Sequence, residues 1–308
     1  MDTRFLETFL LVVDSGSIAA AARRLNITSA AVAQRIRALE DEIGFSLIMR
    51  SGRTVSTTES GASIVSKARE FVTQVRDLKS IPASKGIAGD LRLGAVATAV
   101  TGFLPQVLLA LTTRHSAVDV RVEPGPSAIL YQQVLTGELD AAIVVRPPFD
   151  LPKTCDWSTF YKEPLVLLKP AGLSGDNVEE LLKTQPFIRY DKRAWGGMLV
   201  ENYLRKLGVN PRERFELDAL DAIAVLVDRG LGVALVPDWP RPWPEHLSLA
   251  KVPIKDAGFE RHVGLVWARA TPRLRLVRAL LDEASAAQRG APAANSKSRT
   301  ATRSKGKK

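Results

Sequence analysis

A short helix, a turn and a second helix are predicted by residues 17–40, which read SIAAAARRLNITSAAVAQRIRALE. Ser17 and Thr28 are good N-caps, so a helix is expected to start at each of them, the second ending near Glu40. Three apolar side chains recur on the inward face of the second helix: Val32, Ile36 and Leu39. Another apolar helix is predicted over residues 5–13. This order is typical of a helix-turn-helix, whose second helix enters the major groove of DNA.

The predicted outward face of the second helix carries side chains that can read base edges. Ser29 and Gln34 can donate and accept hydrogen bonds, and Ala30 and Ala33 can contact a thymine methyl group. Arg37 is better suited to a phosphate or a guanine. The pattern therefore predicts a recognition helix.

Residues 44–57 predict two short strands joined by a tight basic turn, which together form a wing. Arg50 and Arg53 lie where a wing contacts phosphate or enters the minor groove. Six arginines against three acids between Ile18 and Thr58 indicate a positive surface. The residues predicted to contact DNA are Ser17, Arg23, Thr28, Ser29, Ala30, Ala33, Gln34, Arg37, Arg50 and Arg53. The alternative is a small helical module whose arginines are only solvated.

These residues resemble the winged helix-turn-helix of the LysR-type transcriptional regulators over positions 4–61, in register and without a gap. The matching residues are Gly16-Ser17, Ala21-Ala22, Leu25, Val32, Ile36, Leu39-Glu40, Gly44, Leu47, Arg50, Thr58 and Gly61. Ser29, Ala30 and Ala33 stand where the family commonly has Gln, Pro and Ser, and Gln34 stands where a basic residue is frequent. These departures allow the recognised base sequence to differ.

Thr58 is placed to cap a third, long helix with a heptad stripe. Its apolar side chains step by four, three, four and three residues: Ile64, Ala68, Phe71, Val75 and Leu78. The stripe predicts a coiled-coil contact between two copies, and the alternative is a helix packed on its own domain. In the LysR type this helix joins two copies, so the resemblance implies a homodimer or homotetramer on a dyad-symmetric DNA site.

From residue 89 the pattern changes to alternating strands and helices, which predicts an α/β domain with two lobes. Strands are expected at 91–96, 118–122, 141–145, 164–168, 187–189, 233–236 and 263–268. Helices are expected at 102–114, 127–136, 198–207, 219–228 and 272–287. Crossings near 158–163 and 262–270 would leave a cleft between the lobes. The order resembles the LysR-type effector domain, itself similar to periplasmic binding proteins, with matching residues at 89–94, 104–105, 137–143 and 230–237.

In such a cleft a ligand lies at the carboxyl ends of strands, close to helix N-termini. The candidate effector-binding residues are Thr98, Thr101, Ser127, Arg146, Arg189, Tyr190 and Trp195. Arg146 follows a predicted strand and could clamp an anion, so a carboxylate-bearing effector is one candidate. The alternatives are ordinary helix caps for the hydroxyl residues, solvated ions for the arginines and core packing for the aromatic residues.

The net charge of +10 is concentrated at the C-terminus, where residues 286–308 hold seven basic residues and no acid. Such a polar segment cannot bury enough surface to order itself, so residues 289–308 are predicted to be a disordered basic tail. The tail is either a weak nucleic-acid arm or a solubilising segment. The predicted domains are therefore 1–58, the winged helix-turn-helix; 59–88, the linker helix; 89–288, the effector domain; and 289–308, the tail.

Several function classes are disfavoured by what the 308 residues contain. A single cysteine, Cys155, and three scattered histidines predict neither a disulfide framework nor a metal site. Walker, HExxH and Gly-x-Ser-x-Gly motifs are absent from the sequence, and no cofactor is expected. No apolar run approaches the ~20 residues that span a bilayer, so a cytoplasmic protein is expected. A ligand-responsive regulator is favoured, with RNA polymerase as a further partner, over an enzyme or solute-binding protein and over an architectural DNA protein.

Overall fold

The computed structural model describes residues 2–51, 54–79, 87–240, 243, 246–254, 256 and 258–290. The N-terminal part holds α1 (Thr3–Ser15), α2 (Ile18–Leu25), α3 (Ser29–Ile43), β1 (Ile48–Ser51), β2 (Thr54–Thr57) and α4 (Glu59–Lys79). Both predicted caps are present. Ser17 Oγ accepts a hydrogen bond from the N–H of Ala20 at 3.4 Å, and Thr28 Oγ1 accepts one from Ala31 at 3.1 Å. The predicted helix-turn-helix is confirmed, although α3 extends beyond Glu40 to Ile43.

The first three helices enclose one apolar core, against which the wing is fixed by polar contacts. Glu40 accepts hydrogen bonds from the N–H groups of Leu47 and Ile48 at 2.7 and 3.2 Å, which ties the start of β1 to the end of α3. The two wing strands pair antiparallel, and the N–H of Val55 donates to the carbonyl of Gly16 at 2.8 Å. The wing is therefore held in a fixed position relative to α3.

The start of α4 lies unusually close to the loop before the wing. A Cβ at Gly61 would lie 1.9 Å from the carbonyl oxygen of Leu47, so this position admits only glycine. Thr58 caps the helix as predicted, because its Oγ1 accepts from the N–H of Gly61 at 2.9 Å. The same hydroxyl donates to the carbonyl of Ser46 at 2.7 Å. The direction of α4 is thus set by the wing.

The apolar side chains of the predicted heptad stripe of α4 are not all exposed. Ala68 is buried in the core of the N-terminal domain, together with Val72, and Ile64 packs partly against the same core. The prediction that Ala68 contacts a second copy is therefore wrong for this structure, because the domain core already covers its side chain. Ile64 is half-buried, and its contact with a second copy stays a prediction. Phe71 is 41% exposed and Val75 is half-buried. The side chain of Leu78 lies outside the described residues.

The C-terminal part forms two lobes. Lobe 1 holds β3 (Gly89–Ala95), α5 (Ala97–Thr101), α6 (Leu104–Arg114), β4 (Val118–Pro124), α7 (Ser127–Leu135), β5 (Ala141–Val145) and α11 (Leu274–Gly290). Its strands β4, β3 and β5 run parallel, as the βαβ pattern predicted. Lobe 2 holds α8 (Val178–Thr184), β7 (Phe187–Tyr190), α9 (Trp195–Leu207), β8 (Glu213–Leu217), α10 (Leu220–Asp228), β9 (Ala234–Pro237) and β10 (Leu249–Pro253). Four of these elements, α5, α8, β8 and β10, were not predicted from the sequence.

Two long strands cross between the lobes, β6 (Cys155–Pro170) and β11 (Glu260–Ala268). The first half of β6 pairs antiparallel with β11, and its second half pairs with β9 and β10 of lobe 2. The predicted strand at 164–168 is only the second half of β6. A Cβ at Gly264 would lie 2.3 Å from the carbonyl oxygen of Ser158, so the crossing strands approach closely there. Both lobes are therefore anchored to the same strand pair.

The last helix extends past the predicted start of the C-terminal tail. Helix α11 continues through Arg289 to Gly290, so residues 289–290 do not belong to a disordered tail. Residues 291–308, where the rest of the predicted basic tail falls, lie outside the described residues, as do residues 80–86 of the predicted linker. Within the described part of the chain, no helix has the length and apolar character needed to cross a membrane.

Candidate DNA-binding and effector sites

Helix α3 presents one polar face to solvent. The side chains of Thr28, Ser29, Ala30, Gln34 and Arg37 are exposed, whereas the opposite face, with Val32, Ile36 and Leu39, is buried in the domain core. Ala33 is half-buried, and the Nε of Arg37 donates to its carbonyl at 3.4 Å. Five of the predicted contact residues therefore lie together on one accessible surface, with Ala33 beside them.

The remaining predicted DNA contacts are distributed differently. The Ser17 hydroxyl is half-buried and serves as a cap, while Arg23 is exposed at the end of α2. Arg50 lies on β1 opposite Val55, with its side chain undescribed. Arg53 lies outside the described residues. Arg35 contributed to the predicted positive surface, but it is half-buried and its Nη1 donates to Thr8 Oγ1 at 3.4 Å.

One arginine of α4 joins three parts of the chain. Arg69 pairs with Asp14 at the end of α1. Its Nη1 also lies 3.6 Å from Oε1 of Glu138, in the turn that precedes β5 of lobe 1. The sequence analysis missed this contact because the partners are 55 and 69 residues away along the chain, and no local pattern signals it.

An ionic group of four residues lies between the lobes: Thr98, Glu163, Tyr190 and Arg261. Arg261 on β11 lies directly opposite Glu163 on β6, and its Nε donates to Oε2 of that carboxylate. Nη2 of Arg261 donates to Thr98 Oγ1 of lobe 1 at 3.2 Å. The guanidinium also interacts with the hydroxyl of Tyr190 in lobe 2. The ion pair therefore contacts both lobes.

Burial controls the protonation of this ionic group. Glu163 is 1% and Arg261 3% exposed. Burial raises the pKa of Glu163, and the charge of Arg261 opposes the rise. Burial likewise raises the pKa of Tyr190, so that hydroxyl stays neutral. Since arginine keeps its proton in proteins, Glu163 is held as its counter-ion.

Two buried oxygens beside this ion pair have no hydrogen-bond partner among the described residues. They are Oε1 of Glu163 and the hydroxyl of Tyr161. The Tyr161 ring packs edge-on against Phe103 of lobe 1, with the ring centroids 5.6 Å apart. Burial raises the pKa of Tyr161 and the charge of Glu163 raises it further. Unpaired buried polar groups are rare and costly, so these two oxygens are candidates for ligand contact.

An aromatic group of three residues also joins the lobes: Tyr131, Phe149 and Trp195. Trp195 begins α9 of lobe 2, whereas Tyr131 belongs to α7 and Phe149 follows β5 in lobe 1. The three ring centroids lie 5.7–5.8 Å apart, and both contacts of Trp195 are edge-to-face. This geometry is favourable for aromatic pairs.

The other predicted effector residues are placed as follows. Arg146 is exposed after β5 and lines an open pocket of about 280 Å³ with residues 147–150. Ser127 is buried and its Oγ accepts the N–H of Val145 at 3.1 Å. Thr101 is exposed and donates to the carbonyl of Ala97 at 3.2 Å, outside both groups. Burial lowers the pKa of His262, and the charges of Lys162 and Arg146 lower it further.

The predicted position of Arg189 is corrected by the structure. We expected it to reach an effector from the end of the strand predicted at 187–189, but it lies within β7 and is 1% exposed. Its guanidinium pairs with Glu201 and lies 3.7 Å from Glu213, because the flanking elements α9 and β8 each supply an acid. Arg189 therefore serves the core of lobe 2, while Thr98, Tyr190 and Trp195 join the interlobe groups.

Two family models match the chain over nearly its whole described length. Residues 3–62 match the bacterial regulatory helix-turn-helix protein of the lysR family, and residues 84–289 match the LysR substrate binding domain. The second match alone covers more than half of the chain. The chain is a LysR-type transcriptional regulator. Regulators of this family bind promoter DNA and small-molecule effectors and are oligomeric, and they are not enzymes.

Curated relatives and solved structures agree with this assignment. The regulator is 28% identical to the transcriptional activator IlvY of Salmonella typhimurium over 247 residues, covering 77% of this chain and 83% of that protein. It is 30% identical to CzcR of Bacillus cereus over 239 residues, covering 77% and 80%. Its fold is similar to that of full-length CbnR complexed with its target DNA, at 19% identity and a TM-score of 0.66, covering 93% and 100%. It is also similar to the fold of a variant of full-length OxyR from Pseudomonas aeruginosa, at 24% identity and a TM-score of 0.65. That match covers 92% of this chain and 94% of the OxyR chain.

Possible metal ligands occur throughout the part of this LysR-type regulator that the structure describes. No group of three or more histidine, cysteine, aspartate or glutamate residues there could hold a metal ion. Cys155 is buried, and burial raises the pKa of its thiol.

A double-mutant cycle tests the aromatic group. We expect Trp195→Ala and Phe149→Ala to show a coupling of about 0.5–1.5 kcal/mol in the free energy of unfolding, because each variant removes the same ring contact. Urea unfolding of the two single variants and the double variant measures it. Trp195→Ala combined with Phe215→Ala, whose ring is exposed on β8, is the additive control. Additivity in both pairs would show that the rings do not meet in solution.

Proposed function

We propose that this regulator binds dyad-symmetric promoter DNA as a homo-oligomer and senses a small molecule between its two lobes. The observation that carries the proposal is the polar face of α3, which is exposed while the opposite face of the same helix holds the domain together. DNA is the occupant that suits an exposed helix of this composition next to a wing. We further propose that the protein acts in the cytoplasm, where promoter DNA is accessible.

In this proposal, specificity and affinity come from different residues of α3. Ser29, Ala30, Ala33 and Gln34 contact base edges, while Arg37 contacts a phosphate. Arg23 and the wing arginines Arg50 and Arg53 add phosphate or minor-groove contacts. Ser17 and Thr28 fix the starts of α2 and α3, because their side-chain oxygens accept hydrogen bonds from N–H groups of those helices.

The salt dependence of DNA binding tests the role of Arg37. We expect Arg37→Ala to weaken binding and to flatten the slope of log affinity against log salt by about 0.9, because one counterion fewer is released. Fluorescence anisotropy on DNA from upstream of the protein's own gene measures the slope. Arg278→Ala, which removes an exposed arginine from α11, is the charge-matched control. An unchanged slope in Arg37→Ala would remove the phosphate contact.

The homo-oligomer is proposed to form through the outer side of α4. Phe71 is a large exposed aromatic side chain on this helix, and Val75 lies one turn further along the predicted stripe. Exposed apolar side chains at heptad positions are typical of a helix that pairs with another copy. Either a dimer or a pair of dimers places two α3 helices on separated half-sites.

Replacing Phe71 tests this interface. We expect Phe71→Glu to shift the protein toward the monomer, because a buried charge without a partner is costly in an apolar seam. Sedimentation velocity over a range of concentrations measures the shift. Ser66→Glu introduces the same charge at an exposed position of the same helix and should leave the assembly unchanged. Equal assembly in both variants would place the interface elsewhere.

The effector is proposed to bind between the lobes, where the ionic and aromatic groups meet both of them. Thr98 lies in the first turn of α5, Ser127 begins α7, and Thr101 ends α5 shortly before α6 begins. Arg146 offers a cation to a carboxylate. A ligand that prefers one lobe arrangement shifts the population toward it, with a coupling of typically ~1–3 kcal/mol. Arg69, through Glu138, supplies a contact by which lobe 1 influences α4. RNA polymerase is the proposed recipient of the signal at the promoter.

The anion role of Arg146 is tested by calorimetry. We expect Arg146→Ala to lower the affinity for a carboxylate effector by about tenfold or more, because a charge-assisted hydrogen bond is lost. The control is Arg121→Ala on β4, which removes an arginine of the same lobe outside both interlobe groups. If every ligand that binds the wild type binds Arg146→Ala equally well, the clamp role is wrong.

A further inference from the structure

The ionic group between the lobes contains an acceptor that no described residue uses. Arg261 donates hydrogen bonds to Oε2 of Glu163, to Thr98 and to Tyr190. Oε1 of Glu163 receives no hydrogen bond from the described residues although it is buried. A carboxylate oxygen without a donor in a low-dielectric interior is unfavourable, so an incoming donor would gain a strong, charge-assisted hydrogen bond there.

The charges around Oε1 decide which chemical groups it accepts. Glu163 and Arg261 cancel each other, and the charge of Asp238, at the end of β9, raises the pKa of Glu163 as a further negative neighbour. Lys251 pairs with Asp238 at 2.5 Å and limits that effect. A carboxylate or phosphate placed against Oε1 would bring two like charges together without water, whereas an ammonium or a hydroxyl would not.

The neighbours of this oxygen make it an interlobe position. Thr98 belongs to lobe 1 and Tyr190 to lobe 2, and both touch the same guanidinium. The unpaired hydroxyl of Tyr161 lies on the same crossing strand as Glu163, two residues away, and can either donate or accept. A ligand group bound here is therefore sensed by both lobes.

We propose that Glu163 determines effector specificity by accepting a hydrogen bond from an amino or hydroxyl group of the effector, with the Tyr161 hydroxyl as a second contact. The inference rests on the proposed effector function and narrows its ligand class. The effector is an amine or an alcohol at this end, and any carboxylate it carries points away from Glu163. Ligands that offer only acceptors at this position are rejected.

Matched ligands test the proposal on the full-length protein. The probes are acids of three to six carbons, each in 2-amino, 2-hydroxy and 2-oxo forms, with the corresponding simple amines and alcohols. Thermal shift ranks them and calorimetry measures the binders. We expect the tightest amino or hydroxy ligand to bind at least about tenfold more strongly than its 2-oxo counterpart. A 2-oxo acid that binds the wild type as tightly overturns the role of Glu163, and leaves the effector function standing.

Variants then separate ligand contact from structural support. Glu163→Gln should lose the preference for amino or hydroxy ligands and bind the 2-oxo form, because its amide can donate a hydrogen bond. If the role of Glu163 is purely structural, the variant should bind all ligands more weakly by the same factor. Tyr161→Phe leaves the ion pair intact and should reduce the preference by roughly threefold. Glu260→Gln, an acid-to-amide change nearby on β11, is the matched control and should keep the wild-type preference. A wild-type preference in both Glu163→Gln and Tyr161→Phe overturns the proposal, and a panel without any binder overturns the effector function itself.

Discussion

The register of the two crossing strands depends on one buried ion pair. Glu163 and Arg261 lie opposite each other on β6 and β11, and leaving either charge buried alone would cost several kcal/mol. A slip of one residue between the strands would place the two side chains on opposite faces of the sheet and break the pair. Because the lobes are built outward from these strands, the pair constrains how they meet.

The same interaction explains why the cleft is suited to sensing rather than to stability alone. Apolar residues could have filled this space at no electrostatic cost, and such replacements are often neutral or stabilising. The ion pair instead presents directional groups to Thr98 and Tyr190 on either side. The aromatic group adds a second contact between the lobes through Trp195. Small changes in lobe arrangement therefore alter specific polar and ring contacts.

The DNA-binding domain is connected to the lobes through α4, which packs against that domain on one side and remains exposed on the other. One side of α4 completes the core of the winged domain with Ala68 and Val72, and Phe71 remains exposed. Arg69 bridges Asp14 and Glu138, so the position of α1 and that of lobe 1 are linked. The stripe could be read from the sequence, but periodicity alone does not say which neighbour covers each part of it.

The amino-acid sequence by itself determined the features that depend on neighbours a few residues away. The caps at Ser17, Thr28 and Thr58, the exposed polar face of α3 and the parallel βαβ order of lobe 1 all follow from local spacing. Only the tertiary structure decided the contacts between residues far apart in the chain. Arg261 and Glu163 are 98 residues apart, and Arg189 meets its acids only after lobe 2 has packed. Pairing of buried charges is a property of the folded interior, where distance and desolvation, rather than spacing along the chain, decide which partners meet.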